Sequence, residues 1–149
     1  MESIELLPEG PPACPEACAA IRDADAIVLG PGSWFSSVLP HLLVPDLRRA
    51  IETSPARRYV SLNLQPQAGE TDNFTPAQLL TTLSAHAPGL RVDGVIADER
   101  AIYDDTGLAE ALNALGAELL VADLTAAGSL TSHDPDKYAR SLRAAFTRH

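Results

Sequence analysis

Short runs of aliphatic residues alternate along the chain with longer segments that have helical periodicity. Residues 26–29 (AIVL), 94–98 (GVIAD) and 118–123 (ELLVAD) are nearly continuous apolar runs, as expected of strands that are covered on both faces. Residues 57–64 (RRYVSLNL) alternate between apolar and polar, which also predicts a strand. Helical segments between such runs predict an α/β fold, with an open, mainly parallel, Rossmann-like sheet flanked by helices.

The other predicted elements complete this order. An N-terminal strand is predicted at residues 3–7 (SIELL), and the alternation within 57–64 places Val60, Leu62 and Leu64 on one face of their strand. Helices are predicted at 15–24, in two segments of 34–52 divided at Pro40 and Pro45, from Thr75 onward, at 106–116 and at 133–146. No repeat or linker interrupts the pattern, so residues 1–149 are interpreted as a single domain.

Charge and hydropathy exclude several classes of partner. The net charge is −9 and the 11 Lys and Arg residues are scattered, which argues against a nucleic-acid-binding surface. No apolar run approaches the length of a membrane span and the N-terminus lacks the features of a signal peptide, so a cytoplasmic protein without a membrane span is expected. Cys14 and Cys18 are interpreted as the buried face of a helix rather than as a redox or metal pair.

The first candidate binding element is the GPGS loop, which comprises Gly30, Pro31, Gly32 and Ser33 and follows the apolar run 26–29. Glycines allow a sharp turn and a close approach to a ligand, and the N–H groups of a following helix favour an anion. The loop lacks the lysine of a nucleotide-hydrolysing P-loop. The residues alone are compatible both with a phosphate-binding site and with a simple turn.

The second candidate is the polar loop of residues 65–73 (QPQAGETDN), which has no apolar anchor. Within it Glu70, Thr71 and Asp72 have side-chain oxygens that suit a sugar hydroxyl, a magnesium ion or the cap of the helix that begins after Thr75. Polar residues also follow four predicted strands at the edge where ligands bind in parallel sheets, namely Ser33, Asn63, Asp98 and Asp123. The four histidines have no metal-binding spacing, and no metal site is assigned.

Three segments together resemble one known family. Residues 24–51 (ADAIVLGPGSWFSSVLPHLLVPDLRRAI), 59–75 (YVSLNLQPQAGETDNFT) and 133–142 (HDPDKYARSL) are similar to the bacterial gluconeogenesis-factor family of the YvcK type, relatives of the 2-phospho-L-lactate transferases of the CofD type. The resemblance extends from Glu5 to Phe146. The GPGS sequence followed by an aromatic residue is typical of the gluconeogenesis-factor branch rather than of the transferases.

The resemblance implies a regulatory protein that binds a UDP-sugar and acts in carbon metabolism and cell-wall morphogenesis. The ligand-binding residues that we expect are Gly30, Pro31, Gly32, Ser33, Asn63, Gly69, Glu70 and Thr71. No catalytic residue is assigned, and no cofactor is expected beyond the UDP-sugar and a possible magnesium ion. The alternatives are an enzyme of the phospho-lactate transferase type and a protein-interaction scaffold without a ligand.

The family pattern begins with a strand and a glycine-rich loop that have no counterpart here. The chain is therefore expected to correspond to the C-terminal half of the CofD-like domain, as a fragment or as a split member. A half-domain leaves sheet edges and apolar surface uncovered, which predicts a homodimer or association with the other half.

Overall fold

The computed structural model describes residues 4–147 and contains one four-stranded parallel sheet. The strands are β1 (Ala26–Leu29), β2 (Arg57–Ser61), β3 (Gly94–Asp98) and β4 (Glu118–Ala122), in the spatial order β1-β2-β3-β4. Their register places Leu29 opposite Val60, Val60 opposite Val95 and Ile96 opposite Leu120. The predicted parallel α/β fold is confirmed.

Six α-helices lie within the described residues, and five of them begin at a proline. They are α1 (Pro15–Asp23), α2 (Pro40–Leu43), α3 (Pro45–Thr53), α4 (Pro76–His86), α5 (Leu108–Leu115) and α6 (Pro135–Thr147), and a π-helical turn at Trp34–Val38 precedes α2. Proline suits the first helical turn because its fixed φ is helical and that turn needs no intrahelical N–H donor. The predicted division at Pro40 and Pro45 is confirmed.

The two faces of the sheet are buried by different helices. Along β3 the side chains of Val95 and Ala97 enter a large apolar cluster with residues of α2, α3, α4 and α5, whereas Ile96 enters a smaller one. Helix α6 covers the smaller cluster, where Ala145 is buried and its carbonyl accepts a hydrogen bond from the Tyr59 hydroxyl at 3.0 Å. Both faces are therefore covered at the centre of the sheet, as predicted for the 94–98 run, whereas the prediction is wrong for the edge strand β4, where Val121 is 50% exposed.

Two further sequence predictions about strands are wrong. Residues 4–7 form no strand: Ile4 packs against the larger cluster and Leu7 is 92% exposed, while Ser3 lies outside the described residues. Strand β2 ends at Ser61, three residues before the predicted end. Since the twofold alternation stops there, Leu64 packs in the smaller cluster with Tyr59 and not beside Val60 and Leu62.

The interpretation of the cysteines is right for Cys18, which is buried, and wrong for Cys14, which is exposed. Helix α1 begins at Pro15, so Cys14 lies at the N-cap outside the helical face and its thiol donates to Glu16 at 2.9 Å. Among the helices of residues 4–147, none has the length and apolar character that a bilayer crossing requires.

Candidate functional site

A solvent-open cleft of about 690 Å³ lies at the carboxyl edge of the sheet. Segments that follow β1, β2 and β4 converge there, as expected for parallel sheets. The residues that line it are Pro31, Gly32, Asn63, Leu64, Gln65, Pro66, Gln67, Ala68, Thr131 and His133. The GPGS loop and the polar loop, both candidates from the sequence, thus line the same cleft.

Gly30 allows the GPGS loop to leave β1 in close contact with β2. Its φ is +83°, and a Cβ atom built there would lie 2.6 Å from the carbonyl oxygen of Ser61. No side chain fits at that distance, and L residues rarely adopt that φ. Gly30 is therefore required by the packing of the main chain at the base of the cleft.

Asn63 holds the GPGS loop against the end of β2. Its Oδ1 atom accepts a hydrogen bond from the Gly32 N–H at 2.9 Å, and its Nδ2 atom donates to the Gly32 carbonyl at 2.8 Å. The same Nδ2 atom lies 3.4 Å from Oε1 of Gln67. Asn63 thus fixes both the GPGS loop and the first part of the polar loop.

Ser33 joins the two loops from the other side. Its hydroxyl caps the π-helical turn by accepting from the Ser36 N–H at 3.1 Å, and it also contacts the Ser36 hydroxyl. The same hydroxyl donates to Oε1 of Glu70 at 2.5 Å. A charge-assisted hydrogen bond of this kind is stronger than a neutral one, so Glu70 holds the polar loop closed over the GPGS loop.

Internal hydrogen bonds give the polar loop a defined shape. The Gln67 carbonyl accepts from the N–H groups of Glu70 and Thr71, and the Gln67 N–H donates to the Thr71 hydroxyl at 2.7 Å. Thr71 is only 1% exposed, and Gly69 has a φ of +78°. Helix α4 is capped by Thr75 with Gln78, so capping is not the role of residues 69–71.

Asp98, at the end of β3, organises the segment that follows β4. Its Oδ2 atom accepts from the Leu124 N–H and the Thr125 hydroxyl, both at 2.9 Å, and its Oδ1 atom accepts from the Arg100 N–H at 3.0 Å. Burial raises the pKa of this carboxyl, but these hydrogen bonds outweigh it and the pKa lies below its ordinary value. Asp98 is therefore a buried anchor and not a group that faces the cleft.

An isolated antiparallel bridge between Thr125 and His133 turns the segment after β4 back toward the cleft. The His133 ring packs edge-on against Tyr138 at 5.5 Å, and its Nε2 atom is buried with no hydrogen-bond partner in residues 4–147. Burial lowers the pKa of His133, partly offset by the negative charge of Asp98. The imidazole at the cleft therefore favours its neutral form.

Asp123 points away from the cleft. Its Oδ2 atom forms an exposed ion pair with Nζ of Lys137 at 2.7 Å, and this hydrogen bond lowers the pKa of Asp123. Across residues 4–147, no group of three or more His, Cys, Asp and Glu side chains is arranged to hold a metal ion.

The first 130 residues of the chain match the family model described as 2-phospho-L-lactate transferase CofD. The chain belongs to the CofD family. Similar relatives include a Mycobacterium tuberculosis protein named "Putative gluconeogenesis factor", 41% identical over 97% of this chain and 43% of that protein. A Halalkalibacterium halodurans protein named "Gluconeogenesis factor" is 38% identical over 70% of this chain and 32% of that protein. The chain thus spans less than half the length of these CofD-family relatives.

Solved structures show the same fold. A Bacillus halodurans protein described as a member of the UPF0052 family superposes with a TM-score of 0.79 at 31% identity, over 95% of this chain and 50% of that one. A second crystal structure from Bacillus halodurans gives a TM-score of 0.80 at 30% identity, over 96% of this chain and 50% of that one. The resemblance to the gluconeogenesis-factor and CofD proteins that the sequence predicts is confirmed.

The eight predicted site residues of this CofD-family chain occupy three kinds of position. Pro31, Gly32 and Asn63 line the cleft, and Ser33 and Glu70 adjoin it through their mutual hydrogen bond. Gly30, Gly69 and Thr71 shape the loops without lining the cleft. Four further residues of the cleft were not predicted from the sequence, namely Gln65, Gln67, Thr131 and His133. His133 was interpreted as the start of α6, and only the fold shows that its segment returns to the cleft.

Proposed function

We propose that the cleft binds a nucleotide sugar of the UDP class, and that the chain serves as a regulatory binding unit in carbon metabolism and cell-wall morphogenesis. The names of the gluconeogenesis-factor relatives support the metabolic part of this proposal. The geometry of the cleft supports the ligand class.

One observation carries the proposal: the Asn63 side chain fixes Gly32 through two hydrogen bonds at the mouth of the cleft. The two hydrogen bonds join Gly32 to a residue 31 positions away in sequence, just beyond the end of β2. These hydrogen bonds order Gly32 as part of the cleft lining, and a ligand site gains affinity when its lining is already ordered.

The chemistry of the cleft lining suits hydroxyl and carbonyl groups. Beside glycine, proline and alanine, it offers the amides of Gln65 and Gln67, the Thr131 hydroxyl and the His133 imidazole. Amide side chains both donate and accept, as recognition of sugar hydroxyls and of a uracil edge requires. Within the described lining there is no Lys or Arg, and the Gly32 N–H already donates to Asn63, so phosphate oxygens would be met by the side-chain amides and the Thr131 hydroxyl.

A variant that blocks the cleft tests this proposal. Thr131 is exposed at the cleft, so Thr131→Trp narrows it without entering the core, and Thr106→Trp is the matched control at an exposed position that does not line it. UDP-glucose binding, measured by isothermal titration calorimetry, should be at least tenfold weaker in Thr131→Trp and unchanged in Thr106→Trp. Equal affinities in the two folded variants would contradict a ligand site in this cleft.

A second candidate, transfer of a 2-phospho-L-lactyl group, is favoured by the family model that residues 1–130 match. Transfer of the phospholactyl group from a nucleotide-activated 2-phospho-L-lactate to an added alcohol acceptor, with release of the nucleoside monophosphate followed by phosphorus NMR, would support this candidate. Binding of UDP-glucose without turnover of that substrate would favour the regulatory role.

A further inference from the structure

A second, apolar cavity of about 270 Å³ lies on the other side of residues 63–66 from the cleft. Its walls include Leu62, Leu64, Phe74 and Leu79, with Arg100 at its border. We call it the Arg100 pocket. The Arg100 pocket and the cleft share only the wall formed by residues 63–66.

The walls of the Arg100 pocket are held by the core. Leu62, Leu64 and Leu79 are 2%, 7% and 8% exposed, so their positions are fixed by packing on both sides of the sheet edge. Phe74 packs edge-on against Phe35 with ring centroids 5.5 Å apart, and its N–H donates to the Thr71 carbonyl. Preformed cavities with apolar walls and few polar groups are the usual form of small-molecule sites.

Arg100 supplies a cation at the border of this cavity. The hydrogen bond from its N–H to Asp98 fixes its main chain, and its exposed side chain has no hydrogen bond or ion pair within residues 4–147. Two other cations, by contrast, are engaged: Lys137 pairs with Asp123, and Arg58 donates to three carbonyls at the end of α3. The positive charge of Arg100 helps to lower the pKa of Asp98, but the carboxylate oxygens accept from the Leu124 and Arg100 N–H groups and from the Thr125 hydroxyl. The Arg100 guanidinium forms no hydrogen bond with Asp98, so its donors are available to an external anion.

We propose that the Arg100 pocket is a second ligand site that takes an organic anion with an apolar body. The apolar body would occupy the cavity between Leu64, Phe74 and Leu79, and the carboxylate, sulfonate or phosphate group would bind the Arg100 guanidinium. In a chain of net charge −9, an anion needs such a local cation, and the planar guanidinium binds these groups through paired hydrogen bonds. This inference is independent of whether the cleft binds a nucleotide sugar.

A pair of fluorescent probes tests the site. 8-Anilinonaphthalene-1-sulfonate has a flat apolar body with an anionic group, and N-phenyl-1-naphthylamine has a similar body without the charge. The native chain should bind both. Arg100→Gln should weaken the anionic probe at least tenfold and change the neutral probe less than twofold, whereas Arg49→Gln, which removes an exposed arginine of α3, should change neither.

A second variant tests the cavity itself. Ala101 is half-buried in the wall of the Arg100 pocket and absent from the cleft lining, so Ala101→Phe should weaken both probes. Near-ultraviolet circular dichroism identifies folded samples, which matters because anilinonaphthalene sulfonate also binds partly unfolded chains. In folded protein, equal binding of the anionic probe to wild type and Arg100→Gln would overturn the proposal, as would unaltered binding of both probes to Ala101→Phe.

Discussion

The amide side chain of Asn63 pairs with the main chain of Gly32, donating to its carbonyl at 2.8 Å and accepting from its N–H at 2.9 Å. A carboxamide has the same donor and acceptor as a peptide group, so Asn63 acts here as an additional rung beyond the paired residues Leu29 and Val60. The β1–β2 pairing is thereby extended into the loops that form the cleft.

We expect Asn63→Ala to lower the free energy of unfolding by about 1–3 kcal/mol, because it leaves the Gly32 N–H and carbonyl without their partners. Urea denaturation measures this change. The control is Asn113→Ala, at an exposed position of α5 where a change within about 0.5 kcal/mol is expected. Equal stabilities of the two variants would show that the Asn63 contacts contribute nothing to the loop.

Substitutions at two glycines with similar φ angles distinguish the cost of backbone strain from the cost of close packing. Gly30 and Gly69 have φ values of +83° and +78°, but a Cβ would lie 2.6 Å from the Ser61 carbonyl at Gly30 and meets nothing within 4 Å at Gly69. Gly69→Ala should therefore cost about 1 kcal/mol, the cost of a left-handed alanine. Gly30→Ala should cost about 1–3 kcal/mol more, through overpacking. Thermal or urea unfolding that gave equal losses would contradict the close approach of the chain at Gly30.

Glu70 should affect ligand binding more than stability. It is half-buried and contributes the hydrogen bond from Ser33, so Glu70→Ala should lower the free energy of unfolding by no more than about 1.5 kcal/mol. Loss of the contact releases the polar loop, and UDP-glucose affinity in a calorimetric titration should fall severalfold. Asn73→Ala, at an exposed position of the same loop without the Ser33 contact, is the control. A large loss of stability with full affinity would assign Glu70 to the fold alone.

The stability of the chain should depend on pH through His133. Burial depresses its pKa below the ordinary value of 6.5, so the unfolded chain takes up a proton at a higher pH than the folded chain does. The contribution of His133 is therefore complete above pH 6.5 and is lost as the pH falls through the depressed native pKa. The pKa of Asp98 is lowered from 3.8, so its contribution is lost only at more acidic pH.

Urea denaturation of wild type and His133→Gln between pH 7.5 and about 4.5 measures this dependence. The slope of the free energy of unfolding against pH should be smaller in His133→Gln than in wild type. It should be unchanged in His41→Gln, where an exposed histidine of α2 is replaced. An identical slope in wild type and His133→Gln would exclude His133 as its source.

The strands and helices that pack in the core were predictable because their apolar periodicity is enforced by burial. The 94–98 run, for example, is buried at every position, and Gly116 ends α5 with a φ of +72° as its sequence suggests. The strand assignment is wrong for residues 4–7, because an apolar run of that length does not distinguish a strand from a coil. The position of Leu64 was wrong because alternation does not show where a strand ends.

The location of the cleft was predictable from the sequence, but the full set of residues that line it was not. Polar residues after β1 and β2 indicated the edge of the sheet, and the structure joins Asn63 to Gly32 and Ser33 to Glu70 there. Nothing in the sequence places Thr131 and His133 in the same cleft, because their position depends on the Thr125–His133 bridge and on hydrogen bonds to Asp98. Contacts between residues so distant in sequence are set by the packed fold and not by local pattern.

The cleft as a nucleotide-sugar site is tested most directly by two-dimensional amide NMR of the chain titrated with UDP-glucose, which detects binding even in the millimolar range. The amide signals of Gly32, Gln67 and His133 should shift together along one binding curve, while that of Asn113 on α5 should remain in place. Glucose alone should produce smaller shifts at the same concentration. Unmoved signals at all three cleft residues, or shifts confined to residues outside the cleft, would contradict a nucleotide-sugar site at this edge of the sheet.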